Sequence, residues 1–102
     1  MKNYVEELVY QIKVCGIQAP VREYKPLLHI GRKHRLDLAW PVDKVGVEYQ
    51  GLYSRKSAHR THGGLRRDYF KLNECQLDGW IIIQATADTV KSGAAVTWIE
   101  RA

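Results

Sequence analysis

RLDLAWPVDKVGVEYQG, residues Arg35 to Gly51, decides the fold. Its first half alternates, with Leu36, Leu38 and Trp40 on one side of an extended chain and Arg35, Asp37 and Ala39 on the other. Pro41 ends the run because it has no amide hydrogen for a ladder, and Pro41 to Lys44 has turn composition. The second half alternates again, Val45, Val47 and Tyr49 against Gly46, Glu48 and Gln50, until Gly51 closes it. Two such runs around a short turn predict a β-hairpin. Pairing through that turn brings Asp37 beside Glu48, and Glu48 and Gln50, two residues apart, share a face. Converging carboxylates repel unless a cation lies between them. A hard divalent ion such as Mg²⁺ suits oxygen ligands and keeps several waters, one of which can attack a phosphodiester while the metal stabilises the developing charge. The same alternation also describes a polar sheet face turned to solvent.

Outward from the hairpin, the pattern is that of one α/β domain. Asn3 to Cys15 reads as a helix: Asn3 and Glu6 have capping-box spacing, and Val5, Leu8, Val9 and Ile12 form one apolar stripe. Gly16 can take the left-handed conformation that stops it. Val21 to Tyr24 follows as a short strand, and Pro26 to Lys33 as a loop or strand extension. Beyond the hairpin, residues 52–63 are polar, basic and rich in turn formers. Leu65 to Leu77 then reads as a helix with Leu65, Tyr69, Leu72 and Gln76 along one face, stopped by Asp78-Gly79. Trp80 to Gln84 is nearly continuously apolar, the pattern of a central strand covered on both faces. Thr86 can cap a last helix from about Asp88 to Ile99, with Gly93 inside it. Trp40, Trp80 and Trp98 fall on apolar faces and read as core. The expected order is αβββαβα over residues 1–102, a central mixed sheet flanked by helices.

Composition limits the function classes. The 102 residues suffice for one modest core. No apolar run approaches the ~20 residues of a membrane span, and Met1 to Tyr4 leads straight into the first helix with no signal-peptide core, so a cytoplasmic protein without membrane contact is expected. Cys15 and Cys75 lie far apart, outside any Cys-x-x-Cys spacing, and read as thiols on helices. His59 and His62 have His-x-x-His spacing without cysteine partners, so nothing points to structural zinc. The net charge is +5, and it is unevenly placed: residues 29–71 hold ten Lys or Arg against four Asp or Glu, together with all four histidines. A basic centre between near-neutral flanks suits a polyanion, because each neutralised phosphate releases counterions.

Four blocks in order carry a resemblance: RKHRLDLAWP (Arg32 to Pro41), VGVEYQG (Val45 to Gly51), His59 with RDYFKLNE (Arg67 to Glu74), and GWIIIQAT (Gly79 to Thr86). Together they resemble the PD-(D/E)XK nuclease superfamily, and within it the small phage and bacterial members related to very-short-patch repair endonucleases. The resemblance implies a restriction-endonuclease-like fold, with Asp37 as metal-binding acid and Glu48-Tyr49-Gln50 in the (D/E)-x-K place. Two departures stand out: Leu36 precedes Asp37 where a proline is usual, and Gln50 replaces the lysine, as it does in some restriction endonucleases of the superfamily. The change removes a charge that would polarise the attacking water, which Lys71, on the next helix, could supply instead.

The implied activity is Mg²⁺- or Mn²⁺-dependent endonucleolytic hydrolysis of DNA, without an organic cofactor. The metal would lie on Asp37 and Glu48, with the Gln50 side chain or a backbone carbonyl, and His59 would polarise the water or contact the scissile phosphate. Arg55, Lys56, Arg60, Arg66 and Arg67 suit phosphate contacts, which position without reading sequence. Glu7 and Asp68 are possible accessory acids, although a first-turn glutamate is also what a helix dipole favours. So short a chain has little room for a sequence-reading module, so structure-directed cutting is expected, and cutting both strands would call for a homodimer. The rival expectation is a non-catalytic nucleic-acid-binding domain that keeps a degenerate nuclease fold; Asp37 and Glu48 weigh against it, since both repel phosphate.

Overall fold

A computed structural model describes residues 3–51 and 62–102. The chain runs α1 (Tyr4–Val14), β1 (Val21–Tyr24), a 3-10 turn (Leu28–Ile30), β2 (Leu36–Trp40), β3 (Val45–Tyr49), α2 (His62–Leu77), β4 (Ile81–Ala85), α3 (Ala87–Ser92) and α4 (Ala94–Arg101). The strands form one mixed sheet in the order β1-β2-β3-β4, antiparallel except for the parallel β3–β4 pair. The expected hairpin is present, with Leu38 opposite Val47 and Trp40 opposite Val45. No described helix is long and apolar enough to cross a membrane.

Local sequence accounts for the helix ends. The Asn3 side chain accepts from the Val5 and Glu6 amides and caps α1. Glu6 does not complete the box; its carboxylate takes both ends of the Arg22 guanidinium and ties α1 to β1. At the other end Gly16 is left-handed, with the Ile17 amide on the Ile12 carbonyl (3.1 Å) and the Gly16 amide on that of Lys13 (3.0 Å). Thr86 and Thr89 bond reciprocally at the start of α3.

Two apolar clusters sandwich the sheet. Leu8 and Ile12 of α1, Val90 of α3 and Val96 and Ile99 of α4 pack with Leu38, Trp40, Val45, Val47 and Ile83 on one face. Leu27, Leu36, Ala39, Trp80 and Cys75 of α2 form the other.

The structure corrects five expectations. Leu36 does not share a face with Leu38 and Trp40: it lies with Ala39 in the second cluster, so the alternation of β2 breaks at Asp37. Gly46 permits this, since a Cβ there would overlap the Leu36 side chain. Helix α2 begins at His62, through Gly63 and Gly64, and buries Lys71 and Cys75, whereas Tyr69 and Gln76 are exposed. Strand β4 is at the edge of the sheet and not at its centre, with Ile81 51% exposed. The last helix is two, because Gly93 at φ 84° ends α3 and starts α4. Trp98 is 39% exposed and not core, unlike Trp40 and Trp80.

Candidate functional site

The β2–β3 pairing runs from Trp40–Val45 to Leu38–Val47 and stops there. One step further, the Asp37 carboxylate accepts a hydrogen bond from the Tyr49 amide at 2.7 Å. A side chain thus takes a donor that a continuing strand would have met with main chain. The bond falls on the peptide that joins Glu48 to Tyr49, which fixes one acid against the backbone of the other.

Glu48 shares a face with Gly46, the face that α2 covers. There its carboxylate meets the Lys71 ammonium, which also donates to the Arg35 carbonyl at the entrance to β2. The Lys71 side chain is 11% exposed and that of Glu48 26%. An ammonium so far from water needs such partners, because an unpaired buried charge is costly. Lys71 therefore joins α2, β2 and β3 at one point. Cys75, one turn on, is fully buried, and burial raises its thiol pKa, opposed by the nearby Lys71 charge.

Gln50 follows β3 directly, its amide on the Ala85 carbonyl at 2.7 Å, which aligns it with the end of β4. Glu7 lies on α1, where its carboxylate accepts from Gln11 (3.3 Å), itself bonded to the Val90 carbonyl (3.0 Å). Arg66, Arg67 and Asp68 fall on α2. Arg55, Lys56, His59 and Arg60 lie outside the described residues.

The structure brings Lys71 onto Glu48 and the Asp37 carboxylate onto the backbone that follows Glu48. Among the described residues no group of three His, Cys, Asp or Glu side chains converges, so Glu7 does not complete a three-acid cluster. The donor set still fits a hard cation. The bonds to Tyr49 and Lys71 use Oδ2 of Asp37 and Oε1 of Glu48, and each carboxylate has a second oxygen. One or two carboxylates, with waters and substrate phosphate, are the usual surroundings of Mg²⁺.

A cleft of about 630 Å³ lies elsewhere, lined by Ile17, Trp40, Val45, Ile81 and Ile99 among others, and includes neither Asp37 nor Glu48.

Around the acids Lys71 was expected as a substitute charge, but its burial against the sheet and the exposed ring of Phe70 were not foreseen. The Arg32 guanidinium lies 4.5 Å from that ring's centroid. The signal for both was the spacing of Lys71 and Cys75, one turn apart, against the apolar stripe chosen for the helix. No family model, curated protein or solved structure matches the chain.

Proposed function

We propose that the protein is a metal-dependent endodeoxyribonuclease of the PD-(D/E)XK type, acting on branched, nicked or otherwise irregular DNA. The observation that carries this reading is Lys71, seated against Glu48, whose next peptide amide holds the Asp37 carboxylate. It supplies a cation where the motif lysine is replaced by Gln50.

Asp37 and Glu48 would hold Mg²⁺ or Mn²⁺, which supplies Lewis-acid stabilisation of a phosphoryl oxygen and an acidified water when bound. The protein's own residues do the rest. The Tyr49 amide orients the Asp37 carboxylate, which would otherwise rotate. The Lys71 ammonium offsets the repulsion between acids and phosphate, and its protons point to the oxygen-rich centre. In hydrolysis the water oxygen bonds to phosphorus, one P–O ester bond breaks, and the departing alkoxide is protonated. The basic residues Arg55, Lys56, Arg60, Arg66 and Arg67 would contact flanking phosphates. Cutting both strands would take two copies.

A second reading, a nucleic-acid-binding domain without catalysis, is favoured by the same ion pair. Glu48 already has its counter-charge in Lys71, so the fold needs no metal to hold it.

A nuclease assay separates the two. Supercoiled, single-stranded and branched DNA, with RNA as a control, would be incubated with Mg²⁺, Mn²⁺ or EDTA. Wild type is expected to cut only with metal, and Asp37→Asn to lose about a hundredfold or more in rate with an unchanged fold. Asparagine keeps an oxygen for the Tyr49 amide, so loss of activity would not come from an orphaned donor. Cutting in EDTA, or full activity in the variant, would refute the assignment. DNA binding without cutting on any substrate would favour the second reading.

A further inference from the structure

We infer that the surface made by Arg32, Arg35, Tyr69 and Phe70 is a docking site for an unpaired nucleic-acid strand leading into the acid pair. The inference rests on the nuclease reading for its direction, but not for its chemistry.

Phe70 is 39% exposed and Tyr69 62%, adjacent aromatic residues of α2 in water. The Arg32 guanidinium lies over the Phe70 ring, 4.5 Å from its centroid, and the His34 ring is 6.2 Å from it. Arg32, Lys33 and Arg35 are all exposed. Arg35 meets Glu23 at 3.0 Å in a pair open to water, which a phosphate can replace at little cost. This patch adjoins the candidate site through the chain itself: Phe70 precedes Lys71, and the Lys71 ammonium bonds the Arg35 carbonyl and Glu48.

The chemistry selects the ligand. Exposed rings interleaved with arginines are the stacking platform of single-strand binders: every base has a π-face, and the guanidinium serves both phosphate and ring. In a duplex those faces are taken by neighbouring bases, so the rings have no use for it. An anionic peptide would use the arginines and leave the rings idle.

The test is fluorescence anisotropy with a labelled oligo-dT of about 15 nucleotides and a duplex of equal length, both in EDTA. Phe70→Leu keeps an apolar side chain and removes the ring; Tyr69→Ala alters a residue that is mostly in water. Thermal melting by circular dichroism checks both folds. Oligo-dT affinity is expected to fall about tenfold in Phe70→Leu and about fivefold in Tyr69→Ala, with duplex binding within about twofold of wild type. Unlabelled oligo-dT should displace the probe far better than polyglutamate.

Equal losses on both DNAs, unchanged affinity in both variants, or equal displacement by polyglutamate would overturn the inference. If Phe70→Leu fails to fold, Tyr69→Ala decides alone. Ring-dependent strand binding without cleavage would sink only the nuclease reading; metal-dependent cleavage without a ring effect would sink only this one.

Discussion

Lys71 has an ammonium with little water around it, and the way it is satisfied makes the site asymmetric. Among the described residues its partners are the Glu48 carboxylate and one backbone carbonyl. Removing Glu48 leaves a desolvated charge with a single neutral acceptor, whereas removing Lys71 leaves a carboxylate that still reaches solvent. Glu48→Ala is therefore expected to lower stability by about 3 kcal/mol, and Lys71→Met by less than about 1.5 kcal/mol. Urea denaturation of the two variants checks the order; equal losses would show that the Lys71 ammonium is solvated well enough to stand without Glu48. The acids were legible in the sequence because a strand repeats every two residues, so Glu48 and Gln50 had to share a face. Lys71 was legible as a substitute charge on the next helix, but its burial was not, because the apolar stripe over Leu65, Tyr69, Leu72 and Gln76 pointed to another side of the helix. A helix that turns a lysine inward contradicts the rule that its most apolar side is its buried one.

Helix α2 docks on the sheet through Cys75, which packs with Leu27, Leu36, Ala39 and Trp80. Burial raises the thiol pKa, so the folded state holds the proton more firmly than the unfolded chain does. The resulting stability is complete below the ordinary thiol pKa of about 8.5 and is lost as pH rises through the higher folded value. The urea midpoint should therefore decline in alkaline solution, and the decline should be shallower in Cys75→Ala; an equal slope would place its origin elsewhere. Elements were legible wherever the pattern was local: the Asn3 cap, the hairpin and the Thr86 cap all lie where sequence put them. Three features depend on neighbours and were not. Leu36 changes face because Gly46 leaves room for it across the strand pair. Gly93 splits a helix by adopting φ 84°, which its tolerance of left-handed backbone allows but does not dictate. Strand β4 reads as central, yet among the described residues it is covered by helices on its faces and not by strands on both sides.

At the scale of the whole molecule, the basic charge gathers in the sequence between residues 29 and 71, the segment that also holds Asp37, Glu48, Tyr69 and Phe70, whereas the cleft around Trp40 and Ile99 is lined by neither acid of the candidate site. The outer rim of β4 has a different significance. In the parallel pair Ile81 donates to Lys44 and Ala85 accepts from Gln50, so by alternation Ile82 and Gln84 turn their backbone groups away from β3. Among the described residues no strand meets them, and the rim carries no lysine or proline to discourage another strand. The shared positive charge opposes such pairing, and it vanishes near the isoelectric point of about 9.4. Colloidal behaviour should follow: light scattering is expected to rise as pH approaches that value or as salt is added, and Ile81→Lys should suppress the rise without altering the fold. Scattering that ignores both pH and the substitution would mean the rim is shielded. For anyone concentrating this protein, the buffer is accordingly a structural variable, since it sets whether an open strand stays a boundary or becomes a seam.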